Sequence, residues 1–277
     1  MARWIVNVAR AILILILPAL AASGCASTRN YGPDGPRFAG TFRVPDVDPA
    51  FRVASFNIKF SREIDKAIAL FQKHAELGQA DVITLQEMRE DGVERIARAL
   101  GFDYVYYPAS QHPKSGNFGN AVLSRWPIVE DKKIVLPHLS RWRRQQRSAC
   151  LAVVDVNGVR IRVYSVHLET PFGVTGGQRR DQARAILADA AGSPDAVIVA
   201  GDFNSRWIGS EFEDAGYRWV TKDAGGTIRF FAWDHVFTRG LPVPTDPKGA
   251  IVRDTEGASD HRPVWAELTF NPPTARP

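Results

Sequence analysis

The stretch Leu151-Ala152-Val153-Val154-Asp155-Val156-Asn157-Gly158-Val159-Arg160-Ile161-Arg162-Val163-Tyr164-Ser165-Val166-His167 decides the architecture. Asn-Gly between two runs of strand formers is a strong two-residue hairpin signal, because both residues accept the positive φ that such a turn requires. His167 therefore closes an antiparallel strand. Downstream, Gln178 to Ala190 reads as a helix and Ala196 to Ala200 as an apolar strand. Upstream, Ile64, Ile68, Phe71 and Ala75 recur at helical spacing and predict an amphipathic helix over 64–78, before a strand that begins at Val82. Asp91 is placed to cap a second helix through Leu100, and Val264 to Phe270 reads as a last strand. Strands that alternate with helices, with at least one hairpin among them, argue for an α/β fold with mixed rather than purely parallel pairing.

The predicted strands share a second property, which is that they end in polar residues. Arg52 to Phe56 leads to Asn57, Val82 to Leu85 to Gln86 and Glu87, Ile161 to Val166 to His167, and Ala196 to Ala200 to Gly201-Asp202-Phe203-Asn204. Ser259-Asp260-His261 precedes the last strand, and Asp234 lies in the apolar setting Trp233-Asp234-His235-Val236-Phe237. Ligands of open α/β sheets bind outside strand ends. Alternation along an extended chain would send Asp202 and Asn204 into a cleft and Phe203 the other way. Taken singly, Asn57 or Asn204 reads equally as a turn residue, Glu87 as a surface charge, His167 or His261 as an interior imidazole, and Asp234 as a strand-end acid paired with Arg239.

Seven segments taken in order carry more than any one of them. Ser55-Phe56-Asn57-Ile58, Leu85-Gln86-Glu87, Gly119-Asn120-Ala121-Val122-Leu123-Ser124-Arg125, Ser165-Val166-His167-Leu168, Gly201-Asp202-Phe203-Asn204, Trp233-Asp234-His235-Val236-Phe237 and Ser259-Asp260-His261-Arg262-Pro263 resemble the endonuclease/exonuclease/phosphatase superfamily over residues 51–270. The resemblance implies a four-layer α/β sandwich, two mixed β-sheets face to face with helices outside, and hydrolysis of a phosphoester. Such chemistry needs activated water, stabilised phosphoryl oxygens and a stabilised leaving group. Glu87 is the expected ligand of Mg²⁺, with Mn²⁺ or Ca²⁺ as alternatives, and Asn57 and Asp260 complete or order its shell. His261 is the leading general base, paired with Asp234; Asp202 orients or deprotonates the water, and Asn204 and His167 donate to phosphoryl oxygens. The sequence leaves open whether Asp202 or His261 takes the proton. Lys59 stands where abasic-site endonucleases place an acid, and His235 stands where many relatives place a phenol, a change expected at the substrate wall.

Substrate contacts are expected from Asn120 and from Arg143, Arg144 and Arg147 in Arg141-Trp142-Arg143-Arg144-Gln145-Gln146-Arg147. Guanidinium forks bind phosphate, and the indole can stack on a base, so nucleic acid fits this loop. Anionic lipid or inositol-phosphate head groups fit it too, and a non-catalytic phosphate-binding module is the remaining alternative.

Residues 1–24 carry Arg3 and Arg10 around the apolar run Ala11 to Ala22, too short to span a bilayer comfortably and laid out as a secretory signal. Ala22-Ser23-Gly24-Cys25 resembles a lipobox, which implies lipidation at Cys25 and a membrane-anchored protein of the bacterial cell envelope. The Gly- and Pro-rich residues 25–50 read as a tether, 51–270 as the catalytic domain and 271–277 as a tail. The chain has 277 residues, 45% apolar and 23% charged, with net charge +5, ordinary values that do not by themselves specify nucleic acid. With Cys25 lipidated, Cys150 has no disulfide partner and reads as a buried small hydrophobe. A monomer with no protein partner is expected.

Overall fold

The computed structural model describes residues 28–44, 50–243 and 249–269. The expected signal, Cys25 and the C-terminal tail lie outside the described residues. In chain order the elements are β1 (Arg29–Asn30), β2 (Phe38–Gly40), β3 (Ala50–Asn57), α1 (Ile64–Lys73), α2 (Ala75–Gly78), β4 (Val82–Met88), α3 (Glu90–Leu100), β5 (Asp103–His112), β6 (Gly116–Ser124) and β7 (Ile128–Val135). There follow β8 (Ser148–Val156), β9 (Val159–His167), α4 (Gly176–Ala191), β10 (Ala196–Asp202), α5 (Gly209–Asp214), β11 (Arg218–Trp219), β12 (Asp234–Arg239), β13 (Gly249–Ile251) and β14 (Val264–Thr269).

These strands form two sheets. The first runs β1-β5-β6-β4-β3-β14-β13 with β2 also on β5, and the second runs β11-β12-β10-β9-β8-β7. Each contains one parallel pair, β3–β4 and β9–β10, among antiparallel ones, so both are mixed. Period-2 alternation divides each strand between two cores. Val53, Val82, Val105 and Val122 meet Ala152, Val163, Ile198 and Val236 between the sheets. Ala54, Phe56, Ile83 and Leu85 face α1 and α3 instead, while Tyr164, Val166, Val197 and Val199 face α4. The result is the four-layer α/β sandwich. None of the described helices is long and apolar enough to cross a membrane.

Local signals explain some boundaries and miss others. Asn157 and Gly158 take φ of 53° and 85° in the β8–β9 hairpin. Thr175 caps α4 through a reciprocal bond with Gln178, a full capping box. The helix expected over 64–78 is divided because His74 is extended (ψ 121°), which lets Leu77 turn into the core. Asp91 does not cap α3; Arg89 holds that position and Asp91 lies in the first turn, paired with Arg89.

Residues 28–44 depart from the expected tether. β1 and β2 add to the edge of β5, with Arg29 opposite Gln111 and Phe38 opposite Tyr106. Asn30 then donates to the carbonyl of Arg144 (2.7 Å) and accepts from the amide of Gln146 (2.8 Å), so this segment buttresses the arginine-rich loop. Strands of two and three residues are held by backbone bonds and are too short to show an alternation.

Gly201 is the tightest point of the β9–β10 pair. A Cβ there would sit 2.0 Å from the carbonyl oxygen of Val166, at a φ of 151°. Gly201→Ala is expected to cost about 3 kcal/mol or more, read as a lowered urea midpoint.

Candidate active site

Sheet register brings the polar strand ends together. Asp202 is level with His167 across the parallel β9–β10 pair and with Asp234 across the antiparallel β10–β12 pair. Asn57 is level with Gln86 in the other sheet. Where the two sheets meet, Asn57 Nδ2 lies 3.0 Å from Asp202 Oδ2 and 3.4 Å from Glu87 Oε1. His167 Nε2 is 3.5 Å from the same Asp202 oxygen and 3.9 Å from Glu87. His261 Nδ1 faces Asp234 Oδ2 at 2.9 Å, while its Nε2 lies 3.8 Å from Asp202 Oδ2. Glu87 and His261, 174 positions apart in the numbering, thus share one cluster through Asp202.

Three local devices set these side chains. Glu87 has φ of 60° at an irregularity of the β4–β6 pairing between Leu85 and Met88, which turns it out of simple alternation. Asn204 has φ of 50°, so it reaches the site through a turn rather than as an extended residue; its amide N–H bonds Asp202 Oδ1 at 2.8 Å. Asp234 is oriented by Thr227, whose Oγ1 accepts the amide protons of Trp233 and Asp234, each at 3.1 Å. Ser259 donates to the carbonyl of Asn57 (2.7 Å) and accepts from the amide of His261 (3.2 Å), joining the last loop to β3. Thr227 has no sequence signal beyond being a hydroxyl near a motif, whereas Ser259 opens the Ser259-Asp260-His261 segment.

The electrostatics separate the roles. Burial pushes the Asp202 carboxyl up to about 7; the positive charge of His261 opposes this, and Asp234 and Glu87 reinforce it. For His261 burial opposes protonation, but Asp234 and Asp202 outweigh it and raise the imidazole to about 10. His167 is held neutral, well below the ordinary imidazole value, by burial and by the charges of Arg147 and His261. Burial also raises Glu87, against the pull of Arg147 and His261. A protonated His261 is a donor, not an acceptor, so the expected general base is the poorer match of the two candidates. Asp202, held near neutrality, is the better one.

Several expected residues stand elsewhere. Asp260 is half-exposed and its Oδ2 is held by Lys59 Nζ at 2.6 Å, which leaves it a weak candidate for the metal shell. Asn120 is buried and donates to the carbonyl of Ser148, a structural bond between the sheets. Asn204 Nδ2 is likewise given to the carbonyl of Leu168 at 3.0 Å rather than left free for a phosphoryl oxygen. His235 is fully buried against Phe203, Trp219 and Phe237, because alternation in β12 points it away from Asp234; it forms no substrate wall. Arg144 closes a turn with φ of 50° and is absent from the cleft lining, whereas Arg143 lines the mouth.

Arg147 is buried in the site itself. Its Nε and Nη2 meet Glu169 at 3.0 and 3.2 Å, and its Nη1 lies 3.0 Å from His167 Nδ1. Glu169 carries little sequence signal because its partner is 22 residues away; its place two residues after His167 is the only local hint. Its carboxylate also accepts from the amide and hydroxyl of Thr170. Removing one member of a buried ion pair strands the other, so Glu169→Ala is expected to cost about 3–5 kcal/mol, measurable by denaturant unfolding.

A cleft of about 280 Å³ opens over Glu87, Arg147 and Glu169, walled by Phe60, Phe118, Trp142 and Phe172. A larger pocket of about 470 Å³ beside Tyr217, Trp219 and Lys222 contains none of the converging residues. Within the site, ligand atoms of Asp202, Asp234 and His261 lie within 4.8 Å of one another and could hold a metal ion. Of this group, Asp234 Oδ2 is engaged by His261, while Asp234 Oδ1 is buried with no hydrogen-bond partner. Asn57 Oδ1 is likewise buried with no hydrogen-bond partner, although Asn57 Nδ2 is bonded to Glu87. An orphaned buried oxygen beside a carboxylate fits a hard cation.

The model of the Endonuclease/Exonuclease/phosphatase family matches residues 54–261. The chain is 27% identical over 248 residues to the uncharacterized protein YbhP of Escherichia coli, covering 83% of this chain and 90% of that protein. Among solved structures it resembles an endonuclease/exonuclease/phosphatase from Beutenbergia cavernae, with TM-score 0.67, 21% identity and coverage of 81% and 72%. It also resembles the human Nocturnin catalytic domain with bound sulfate, with TM-score 0.61, 18% identity and coverage of 85% and 98%. A third likeness is to D. rerio TDP2 complexed with a single-strand DNA product, with TM-score 0.60, 19% identity and coverage of 80% and 100%.

Proposed function

Because the chain belongs to the endonuclease/exonuclease/phosphatase family, whose members are hydrolases acting on phosphoester bonds, we propose that it is a divalent-metal-dependent phosphoester hydrolase in which water attacks phosphorus. The observation that carries this reading is the convergence of Asn57, Glu87, Asp202, Asp234 and His261 in one buried cluster. Glu87 and Asn57 Oδ1 would hold the cation, which supplies charge to the phosphoryl oxygens when bound. Asp202, fixed by Asn57 and the Asn204 amide, takes the proton of the attacking water. His261, kept protonated by Asp234, donates from Nε2 to a phosphoryl oxygen, and the guanidinium of Arg147 adds fixed positive charge beside neutral His167.

If Asp234 acts through His261, their effects are not additive. His261→Ala is expected to lower kcat by about 10², and adding Asp234→Asn should lower it little further in steady-state assays.

The substrate class is tested by offering plasmid DNA, RNA and vesicles of sphingomyelin or phosphoinositide side by side, with Mg²⁺ and with excess chelator. The structural neighbour solved with a single-strand DNA product supports nucleic acid, and the Arg143 mouth accepts either class. Metal-dependent cleavage of one class is expected. Cation binding without turnover of any member would replace this reading with that of a binding module.

A further inference from the structure

Among the described residues, the aromatic side chains left most exposed lie in segments that line the cleft or run on from residues of the site. Trp142 is 79% exposed, Phe172 85%, Trp207 85% and Phe230 79%, each from a different loop. Two of these segments run on from residues of the site and two line the cleft. Trp142 and Phe172 wall it directly, and their loops are joined by the bond from the Arg141 amide to the Gly173 carbonyl. Trp207 follows Asp202 by five positions, and the Phe230 loop leads into Asp234 and receives the amide of Arg262 at Thr227.

The same loops are basic. Arg141, Arg143 and Arg144 flank Trp142, and Arg229 precedes Phe230, all of them exposed. Across 137–147, 168–175, 203–208 and 220–233 the acidic residues are Glu169, buried on Arg147, and Asp223, which is exposed and pairs with Arg206 at 3.7 Å. Exposed aromatics among arginines, with a single exposed acid that Arg206 neutralises, complement a surface that is apolar beneath and anionic above. A bilayer has that profile. Free aromatic faces also suit single-stranded nucleic acid, and an oligonucleotide arm in the test separates the two.

We propose that this rim docks the open end of the cleft onto an anionic lipid bilayer, with Trp142, Phe172, Trp207 and Phe230 entering the interface and the neighbouring arginines on the head groups. The proposal concerns binding and does not depend on turnover.

The test is co-sedimentation of the full chain, in chelator, with phosphatidylcholine vesicles containing about one third phosphatidylglycerol. Residues 1–27 are retained in every protein, so their own contribution cancels. Replacing all four aromatics by Ser is expected to lower the partition coefficient about 100-fold, with an unchanged melting temperature because the side chains are exposed. Quenching by brominated lipid should fall in a Trp142→Phe, Trp207→Phe protein. Equal partitioning of the wild type and the four-fold variant would overturn the proposal. So would a variant that loses affinity for a single-stranded oligonucleotide while keeping its affinity for vesicles.

Discussion

Asp202→Asn is expected to lower kcat by about 10³ to 10⁴ without unfolding the protein. The carboxyl lies buried, 3.0 Å from Asn57 Nδ2 and 2.8 Å from the Asn204 amide, so an amide of the same shape keeps one acceptor for these donors. What it cannot do is take a proton. The sign of the stability change follows from linkage. Folding raises the Asp202 pKa to about 7, so the native state disfavours the ionised form. That penalty is absent below the ordinary carboxylate range and fully present above about 7. A neutral side chain is free of it, and the melting temperature at alkaline pH should hold or rise as activity disappears. A loss of both together would instead mark Asp202 as a structural residue.

Glu87→Gln is expected to have an effect of similar size through a different route. Asn57 Oδ1 and Glu87 are the oxygens placed to receive a cation, and only Glu87 brings a charge. Removing it should weaken Mg²⁺ binding by at least about tenfold in titration calorimetry and lower turnover by about 10³ at a fixed metal concentration. Partial recovery at raised Mg²⁺ is expected, which would separate a ligand role from an acid–base one. Asp260→Asn should differ, with Mg²⁺ affinity close to wild type, because that carboxylate is already engaged by Lys59.

The sequence was legible where the decisive signal is local. Asn157-Gly158 marks its own hairpin, and the Thr175–Gln178 box marks its own helix start. The polar strand ends were legible because parallel and antiparallel register carry residues at the ends of neighbouring strands to the same level, as with His167, Asp202 and Asp234. Glu169 on Arg147 and Lys59 on Asp260 were not, since each pair joins distant loops whose approach depends on the finished sheets. The same applies to β1 and β2, whose attachment to β5 is a matter of backbone bonds and leaves no side-chain period. The protonation order of Asp202 and His261 was also out of reach, because it follows from burial and from which carboxylates surround each group.

The most direct test of the whole account is hydrolysis of bis(p-nitrophenyl) phosphate by the purified protein in oxygen-18-labelled water, with Mg²⁺ and with chelator in excess. Attack of water on phosphorus at a metal-bearing cleft predicts one labelled oxygen in the phosphate monoester, none in the nitrophenol, and loss of turnover in chelator. Label in the nitrophenol, or undiminished turnover in chelator, would contradict it.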